Sequence, residues 1–286
     1  MRRLAFFPGC SAPVRALGYE LAARKLMDFL GVELVEIPGF RCCGYPLKSL
    51  DKEAALLIAA YNLAQVGDES LPIMTLCNAC ASNLMEADLL LKDGGGLGRK
   101  IRQKLETAGF SYRGGTRVLH LLRVLAEFDF QKLVRRTLAG LKVAVHEGCH
   151  FARPSEAYRA YGLEGYGWSG GQGILDRLVV AVGAESIDYE GKEDCCGGGL
   201  MALRPDLMAR LSAAKVEQAG RAGADCLVVA CPACGIALSA GQGEAELPVL
   251  YLPQLLGLSL GLNPEEELGL ELNQVSADSV LEKLGV

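Results

Sequence analysis

The sequence predicts an α/β protein made of two similar halves, each with a parallel sheet of βα units. The first observation is an internal repeat, because one five-cysteine pattern occurs twice in the 286 residues and takes up ten of the eleven cysteines. The second is the alternation of short apolar runs with longer helical stretches, which is typical of parallel sheets. Because a repeat fixes architecture, we expect one half over residues 1–140 and the other over residues 141–286.

The repeated pattern consists of a single cysteine, an adjacent pair and a C-x₂-C motif. The first copy comprises Cys10, Cys42, Cys43, Cys77 and Cys80, and the second comprises Cys149, Cys195, Cys196, Cys231 and Cys234. The flanking residues repeat as well, since "LAFFPGC" matches "VAVHEGC" and "IMTLCNAC" matches "LVVACPAC". Matching flanks indicate a duplicated domain.

Apolar or β-branched runs predict the strands of each half. In the second half these runs are "KVAVHEG", "ESIDYEG" and "CLVVAC", and the last one ends at the C-x₂-C motif. A further matching pair, "TRVLHLLRVLAEF" and "LPVLYLPQLLGLS", follows the two C-x₂-C motifs. Parallel sheets bind ligands beyond the carboxyl ends of their strands. Cysteines stand at those ends, so the repeat is expected to gather its thiols along one edge.

Three further segments carry predictions of their own. The polar stretch "GRKIRQKLETAG" predicts an exposed amphipathic helix that ends at Gly109, either as a solvated face or as a docking surface. The segment after Cys149 is longer than its counterpart and holds Trp168, which suits a packed surface loop or a pocket wall. The apolar stretch 247–262 predicts a buried helix, because Pro253 and Gln254 interrupt it and a membrane span needs about 18–20 apolar residues.

Composition narrows the class of protein. The formal net charge is −5, and basic and aromatic residues do not alternate, so nucleic acid is not an expected partner. The start "MRRLAFFPGC" has too short an apolar run for a signal peptide. We therefore expect a cytoplasmic protein without a transmembrane segment.

The cysteine pattern favours metal binding over disulfides. Adjacent residues have Cα atoms about 3.8 Å apart, whereas disulfides need roughly 4.4–6.8 Å, so a bridge within a pair would be strained. Two neighbouring sulfurs suit two neighbouring metals of a cluster. Glycines behind the pairs, Gly44 and Gly197, permit positive φ and let backbone N–H groups approach inorganic sulfides. Five thiols also exceed the four of a cubane cluster or a zinc site, which points to an unusual iron–sulfur cluster.

With these motifs the chain resembles the cysteine-rich CCG-domain family, and most closely the B subunits of heterodisulfide reductases. The resemblance covers nearly the whole length and includes the ten cysteines and the "GCHFARP" context of Cys149. It implies that each five-cysteine set holds one noncubane [4Fe–4S] cluster. It also implies two CCG-type halves with the clusters at the carboxyl ends of the strands, between the halves.

The resemblance further implies a reaction, the reductive cleavage of a small-molecule disulfide held between the two clusters. His150, next to Cys149, could then give a proton to a departing thiolate. The chain has no C-x₂-C-x₂-C-x₃-C-P run with which to collect electrons. The implied partners are a ferredoxin-like iron–sulfur subunit and a flavoprotein subunit, which in such reductases are the C-type and A-type components.

Several alternatives stay open at this point. An electron-transfer or quinone-reactive subunit of a membrane-associated complex would use the same motifs, and a zinc-stabilised scaffold or thioredoxin-like chemistry would explain C-x₂-C but not the cysteine pairs. His120 and His146 lie in apolar patterns that predict core packing, and Cys226 is predicted to be a buried apolar residue. Arg153 could face an anionic substrate or pair on the surface.

Overall fold

The computed structural model describes residues 2–67, 71–152, 155–161, 173–243 and 245–286. Arg153 and Trp168 lie outside these residues, and so does most of the long segment after Cys149. The predictions made for that segment are therefore not addressed by the fold.

Two four-stranded parallel sheets form the framework. The strands are β1 (Arg2–Phe7), β2 (Val32–Glu36), β3 (Ile73–Thr75), β4 (Val118–His120), β5 (Lys142–His146), β6 (Glu185–Ile187), β7 (Cys226–Val229) and β8 (Val249–Tyr251). The first sheet has the order β2-β1-β3-β4 and the second has the equivalent order β6-β5-β7-β8. All paired strands run parallel. The predicted class, α/β with two duplicated halves, is confirmed.

Helices connect the strands, as the alternating pattern predicts. They are α1 (Ala12–Arg15), α2 (Leu17–Phe29), α3 (Lys52–Val66), α4 (Asn78–Asp93), α5 (Gly96–Thr107), α6 (Leu121–Leu125), α7 (Phe130–Leu133), α8 (Cys149–Ala152), α9 (Glu156–Ala160), α10 (Ile174–Ala181), α11 (Pro205–Arg221), α12 (Pro232–Gly241), α13 (Leu252–Ser259) and α14 (Asp278–Leu284). Short 3₁₀ helices span Tyr45–Leu47, Gly198–Leu200 and Leu270–Leu272. In the described chain, no helix is both long and apolar enough to cross a membrane.

The central strands β1 and β5 are buried on both faces. Leu4, Ala5 and Phe6 in β1 and Val143 and Ala144 in β5 have no exposed surface. Strands covered on both sides read as continuous apolar runs rather than alternating ones. These continuous apolar runs are the reason that the strands could be predicted from the sequence.

Two helix predictions have different outcomes. The amphipathic stretch forms α5, which buries Ile101 and Leu105, and Gly109 follows it with φ +84°. The prediction of one buried helix over 247–262 is wrong in its first part, since Val249–Tyr251 is the strand β8. Pro253 fixes φ for the first turn of a helix, so α13 begins only after that strand.

The chain divides into two compact units, each with one sheet. The first takes its described residues from 1–10, 27–124 and 154–164, and the second from 11–26, 125–153 and 165–286. The segment directly after Cys10 thus belongs to the second unit, and residues 155–161, which follow Cys149 in sequence, belong to the first. The repeat boundary between residues 140 and 141 stays a prediction.

Candidate metal centres

In the first unit the five thiols lie in three segments, each of which follows a strand of the sheet. Cys10 follows β1, the pair Cys42 and Cys43 follows β2, and Cys77 is the N-cap residue of α4. Cys80 lies in the first turn of that helix. The C-x₂-C motif therefore lies on the turn between β3 and α4.

The sulfurs of this first set contact one another as a chain. Cys42 is hydrogen-bonded to Cys10 and Cys43, and Cys43 is also hydrogen-bonded to Cys80. Cys80 in turn contacts Cys77. Cys43 and Cys80 are buried, whereas Cys10 and Cys42 are exposed. The fold therefore brings together all five cysteines of the first repeat.

In the first set, Cys43 has a thiol with a lowered pKa. Hydrogen bonds from Cys42 and Cys80 hold its pKa well below the ordinary value of a thiol, although burial opposes them. For Cys80 the hydrogen bonds to Cys43 and Cys77, together with burial, raise the pKa. The second cysteine of the adjacent pair is thus the favoured thiolate, which is the form that binds metal.

The second set repeats this arrangement. Cys149 follows β5, Cys195 and Cys196 follow β6, Cys231 is the N-cap residue of α12, and Cys234 lies within that helix. The sulfur of Cys196 lies 3.2 Å from that of Cys234. Burial raises the pKa of Cys149, and negative charge on Cys196 and Cys231 raises it further. The five cysteines of the second repeat are also gathered.

Cys196 is the favoured thiolate of the second set, as Cys43 is of the first. Hydrogen bonds from Cys195 and Cys234 lower its pKa, and the nearby imidazole of His146 acts in the same direction. Conversely, the hydrogen bond to Cys196 and burial raise the pKa of Cys195. His146 is 3% exposed and was predicted to be a core residue. Its position beside the thiols was not predicted from the sequence.

Backbone N–H groups point at the cysteine pairs in both units. Those of Gly197 and Gly198 donate to the sulfurs of Cys195 and Cys196, at 3.3 and 3.4 Å. Backbone hydrogen bonds from Gly44 and Tyr45 act in the same way on Cys42 and Cys43. Donors that converge on sulfur stabilise thiolates and anionic clusters.

The glycines behind the pairs have left-handed backbone conformations and tight surroundings. Gly44 has φ +84°, and a Cβ atom there would lie 2.5 Å from the carbonyl oxygen of Ala55. Gly197 has φ +79°, and its Cβ would lie 2.9 Å from the Cα of Met208. Each pair loop therefore packs directly against the backbone of the following long helix, α3 or α11, which requires glycine.

Buried polar side chains hold the pair loops by their carbonyl groups. Asn83 donates to the carbonyl oxygen of Cys43 at 2.7 Å, and Ser212 donates to that of Cys196 at 2.8 Å. Asn62 donates to the carbonyl oxygen of Cys42 at 3.0 Å and accepts from the backbone N–H of Arg41 at 2.7 Å. These supports could not be predicted from the sequence pattern, because the helices that carry them also contain several other polar residues.

The remaining candidate residues have simpler positions. His150 is half-buried in the single turn of α8, directly after Cys149. His120 is 1% exposed, and its Nδ1 accepts from the backbone N–H of Leu122 at 3.2 Å. Cys226 has no exposed surface and lies in β7, which confirms the prediction of a buried apolar residue.

The donor chemistry of both sets fits an iron–sulfur cluster. Each set presents five sulfurs, a low-pKa thiolate at its centre and backbone donors aimed at sulfur. A smaller group also exists, because one ring nitrogen of His146 and the sulfurs of Cys196 and Cys234 all lie within 4.8 Å of one another. These three atoms could hold a single metal ion, but such a site would leave three cysteines of the set unused.

Comparisons with known proteins agree with this description. A family model described as a cysteine-rich domain, CCG, matches residues 4–85 and 143–239. A Methanosarcina mazei protein, named as the B subunit of a ferredoxin:CoB-CoM heterodisulfide reductase, is 33% identical over 99% of this chain and 97% of its own. A Wolinella succinogenes protein named 8-methylmenaquinol:fumarate reductase membrane anchor subunit is 32% identical over 96% of this chain and 98% of its own.

A solved structure shares the fold. It is that of a hypothetical protein from Helicobacter pylori, with a TM-score of 0.77 at 15% identity. The match covers 96% of this chain and 52% of the other, so this chain spans about half the length of that protein. At this level of identity the match concerns the fold alone.

Proposed function

The chain belongs to the cysteine-rich CCG-domain family, and we propose that it is the catalytic subunit of a heterodisulfide-reductase-like complex. In this proposal the protein reductively cleaves a small-molecule disulfide at two noncubane [4Fe–4S] clusters. Relatives named as B subunits of heterodisulfide reductases, at 33% and 34% identity over nearly the whole chain, support it. The observation that carries the proposal is the gathering of five thiols in each unit around one low-pKa cysteine.

The cysteines are assigned to the clusters by unit. Cys10, Cys42, Cys43, Cys77 and Cys80 would hold the first cluster, and Cys149, Cys195, Cys196, Cys231 and Cys234 would hold the second. The backbone N–H groups of Gly44 and Gly197 would stabilise the cluster-binding sulfurs by hydrogen bonding. When bound, the clusters would supply iron that acts as a Lewis acid toward sulfur and one-electron redox chemistry for reduction of the disulfide.

The protein residues contribute anchoring and a proton. Cys43 and Cys196, with lowered pKa values and little exposure, each supply one thiolate to their set. Two thiolates leave when a disulfide is reduced, and each must take up a proton to become a thiol. We assign to the half-buried His150, which follows Cys149 in α8, the role of proton donor at the second set.

Electrons must come from partner proteins. We propose a ferredoxin-like iron–sulfur subunit, the C-type component, as the direct donor, with a flavoprotein, the A-type component, behind it, in the cytoplasm. Several relatives are named as subunits of reductases, which supports an assembly of this kind.

The test is anaerobic purification of the complex followed by an assay of disulfide reduction with a reduced viologen dye as electron donor. Symmetrical and mixed disulfides of small acidic thiols would serve as substrates. The proposal predicts formation of two thiols for each pair of electrons consumed. A complex with full iron content that reduces none of these disulfides would contradict it.

A second candidate is an electron-transfer or quinone-reactive subunit. The similarity to the membrane anchor of an 8-methylmenaquinol:fumarate reductase favours it. The same preparation separates the two functions, since this candidate predicts oxidation of a menaquinol analogue without thiol formation.

A further inference from the structure

The two cysteine sets share a plan but differ at two buried positions. β1 ends at Phe7 before Cys10, whereas β5 ends at His146 before Cys149. Twenty residues after the first cysteine of each pair stands Asn62 in the first unit and Lys215 in the second. At the first position the second unit has an imidazole in place of a phenyl ring, and at the second position it has an amine in place of a neutral amide.

Lys215 and Asn62 both anchor the backbone of the loop that leads to a cysteine pair. Asn62 fixes the loop before the first pair through the backbone of Arg41 and Cys42. Lys215 fixes the loop before the second pair, because its Nζ donates to the carbonyl oxygens of Gly191 and Lys192 at 2.6 and 3.1 Å. Since a neutral amide suffices for this task in the first unit, anchoring the loop does not by itself require a cation.

The cation of Lys215 is buried at a cost. The residue is 1% exposed, and its Nζ lies 5.4 Å from the centre of the Tyr189 ring. Burial lowers its pKa to about 8, while Asp194 and the sulfurs of Cys196, Cys234 and Cys195 act in the opposite direction. A buried charge normally needs an opposite charge nearby. The thiol set is the buried acidic group that meets this need.

The buried imidazole of His146 lies beside the same set. One of its ring nitrogens is within 4.8 Å of the sulfurs of Cys196 and Cys234, and the imidazole helps to lower the pKa of Cys196, whereas the matching side chain of the first unit is the phenyl ring of Phe7. Positive charge and hydrogen bonds to sulfur both stabilise the more negative, reduced state of an iron–sulfur cluster.

From this difference we infer that the second set holds its cluster at a higher reduction potential than the first, and that Lys215 and His146 are the residues that raise it. The inference rests on the cluster-binding part of the proposed function. A reduced iron–sulfur partner, which is oxidised as it gives up one electron, would then reduce the second site before the first.

Two nearby charges act against this difference, and solvent weakens them. Arg41 precedes the first pair and Asp194 precedes the second, so they would favour reduction of the first set. Both residues are exposed, and water and salt screen exposed charges far more than buried ones. Lys192 is nearly buried but is neutralised by Asp176, to which its Nζ is bonded at 2.7 Å. The two buried residues, Lys215 and His146, therefore determine which cluster has the higher reduction potential.

The test is a potentiometric titration of the anaerobic complex, followed by EPR. Cys43→Ala leaves the second cluster to be observed alone, and Cys196→Ala leaves the first. We expect the second to be reduced at the higher potential, by at least about 59 mV, which is a tenfold difference in a one-electron equilibrium constant. Equal or reversed potentials would overturn the inference, and this comparison needs no change at Lys215 or His146.

Substitution then identifies the cause. Lys215→Asn and His146→Phe introduce the residues of the first unit, and each should lower the second potential while iron content stays constant. Arg221→Asn is the matched control, because it removes a 74% exposed cation from the same helix, and it should leave the potential unchanged. An unchanged potential in Lys215→Asn would contradict its role. Iron loss in His146→Phe would show that His146 is a metal ligand and not a donor to sulfur.

Failure of this inference can be distinguished from failure of the proposed function. A preparation without iron and acid-labile sulfide would contradict both the proposed function and the inference about the two potentials. A preparation with two clusters and disulfide reductase activity, but with equal potentials, would remove only the inference.

Discussion

The hydroxyl of Tyr19 donates a hydrogen bond to the carbonyl oxygen of Ala230, 3.1 Å away and directly before Cys231. Tyr19 lies nine residues after Cys10, and its ring stacks on Tyr251 with centroids 4.3 Å apart. Nine residues after Cys149, Tyr158 donates to the carbonyl oxygen of Asn78, directly after Cys77, at 3.2 Å. In each unit, a tyrosine that follows the other repeat's first cysteine in sequence therefore supports the C-x₂-C turn.

Tyr19→Phe should destabilise the second unit while keeping the ring stack. The carbonyl group of Ala230 would lose its buried donor, which costs about 1–3 kcal/mol. We expect a lower midpoint in thermal unfolding of the apoprotein and faster loss of iron to a chelator. Tyr61→Phe, at a half-buried position in α3, is the control. A midpoint equal to that of the control would show that the hydroxyl contributes nothing.

Gly44→Ala should disrupt the first pair loop more than a positive φ alone explains. An alanine with φ near +84° costs about 1–2 kcal/mol, and its Cβ would also meet the carbonyl oxygen of Ala55 at 2.5 Å. Gly31→Ala is the matched control, since Gly31 has φ +70° and no atom within 4 Å of its Cβ position. The difference in free energy of unfolding between the two variants measures the clash. Equal losses would mean that the loop does not pack tightly against α3.

Cys43→Ala should remove the first cluster and leave the second, because ligand binding and local folding are coupled within a unit. Iron content would fall by about half, and the remaining spectrum would match that of the second site. Cys226→Ala removes a buried thiol that belongs to neither set and should keep all iron. Loss of both clusters in Cys43→Ala would show that the two sites do not assemble separately.

His150→Ala should keep its iron and lose activity. A positioned general acid contributes about 10²–10⁴-fold, so the rate of disulfide reduction per iron should fall within that range. Added imidazole should restore part of the rate by supplying the missing acid. A variant with full iron and the original rate would remove His150 from the mechanism.

Much of the fold could be predicted from the sequence because its signals are local. The buried runs of β1 and β5, the Pro232 that opens α12 and the glycines behind the pairs each reflect the backbone at their own position. Comparing the repeats could also have found His146, since a polar residue replaces Phe7 at the end of an apolar strand.

Other features depend on distant contacts and had no local signal. The assignment of residues 11–26 to the second unit rests on contacts such as that of Tyr19 with Ala230, 211 positions apart. The roles of Asn83 and Ser212 arise from carbonyl groups 40 and 16 positions away. The stretch 247–262 was misassigned because a short buried strand and a buried helix have the same apolar composition.

The most direct test of the account is the iron and acid-labile sulfide content of the anaerobically purified protein. Two sets of five cysteines, each holding a four-iron cluster, predict about eight irons and about eight sulfides per chain. Zinc at one or two ions per chain, without acid-labile sulfide, would contradict the central claim that both thiol sets bind iron–sulfur clusters.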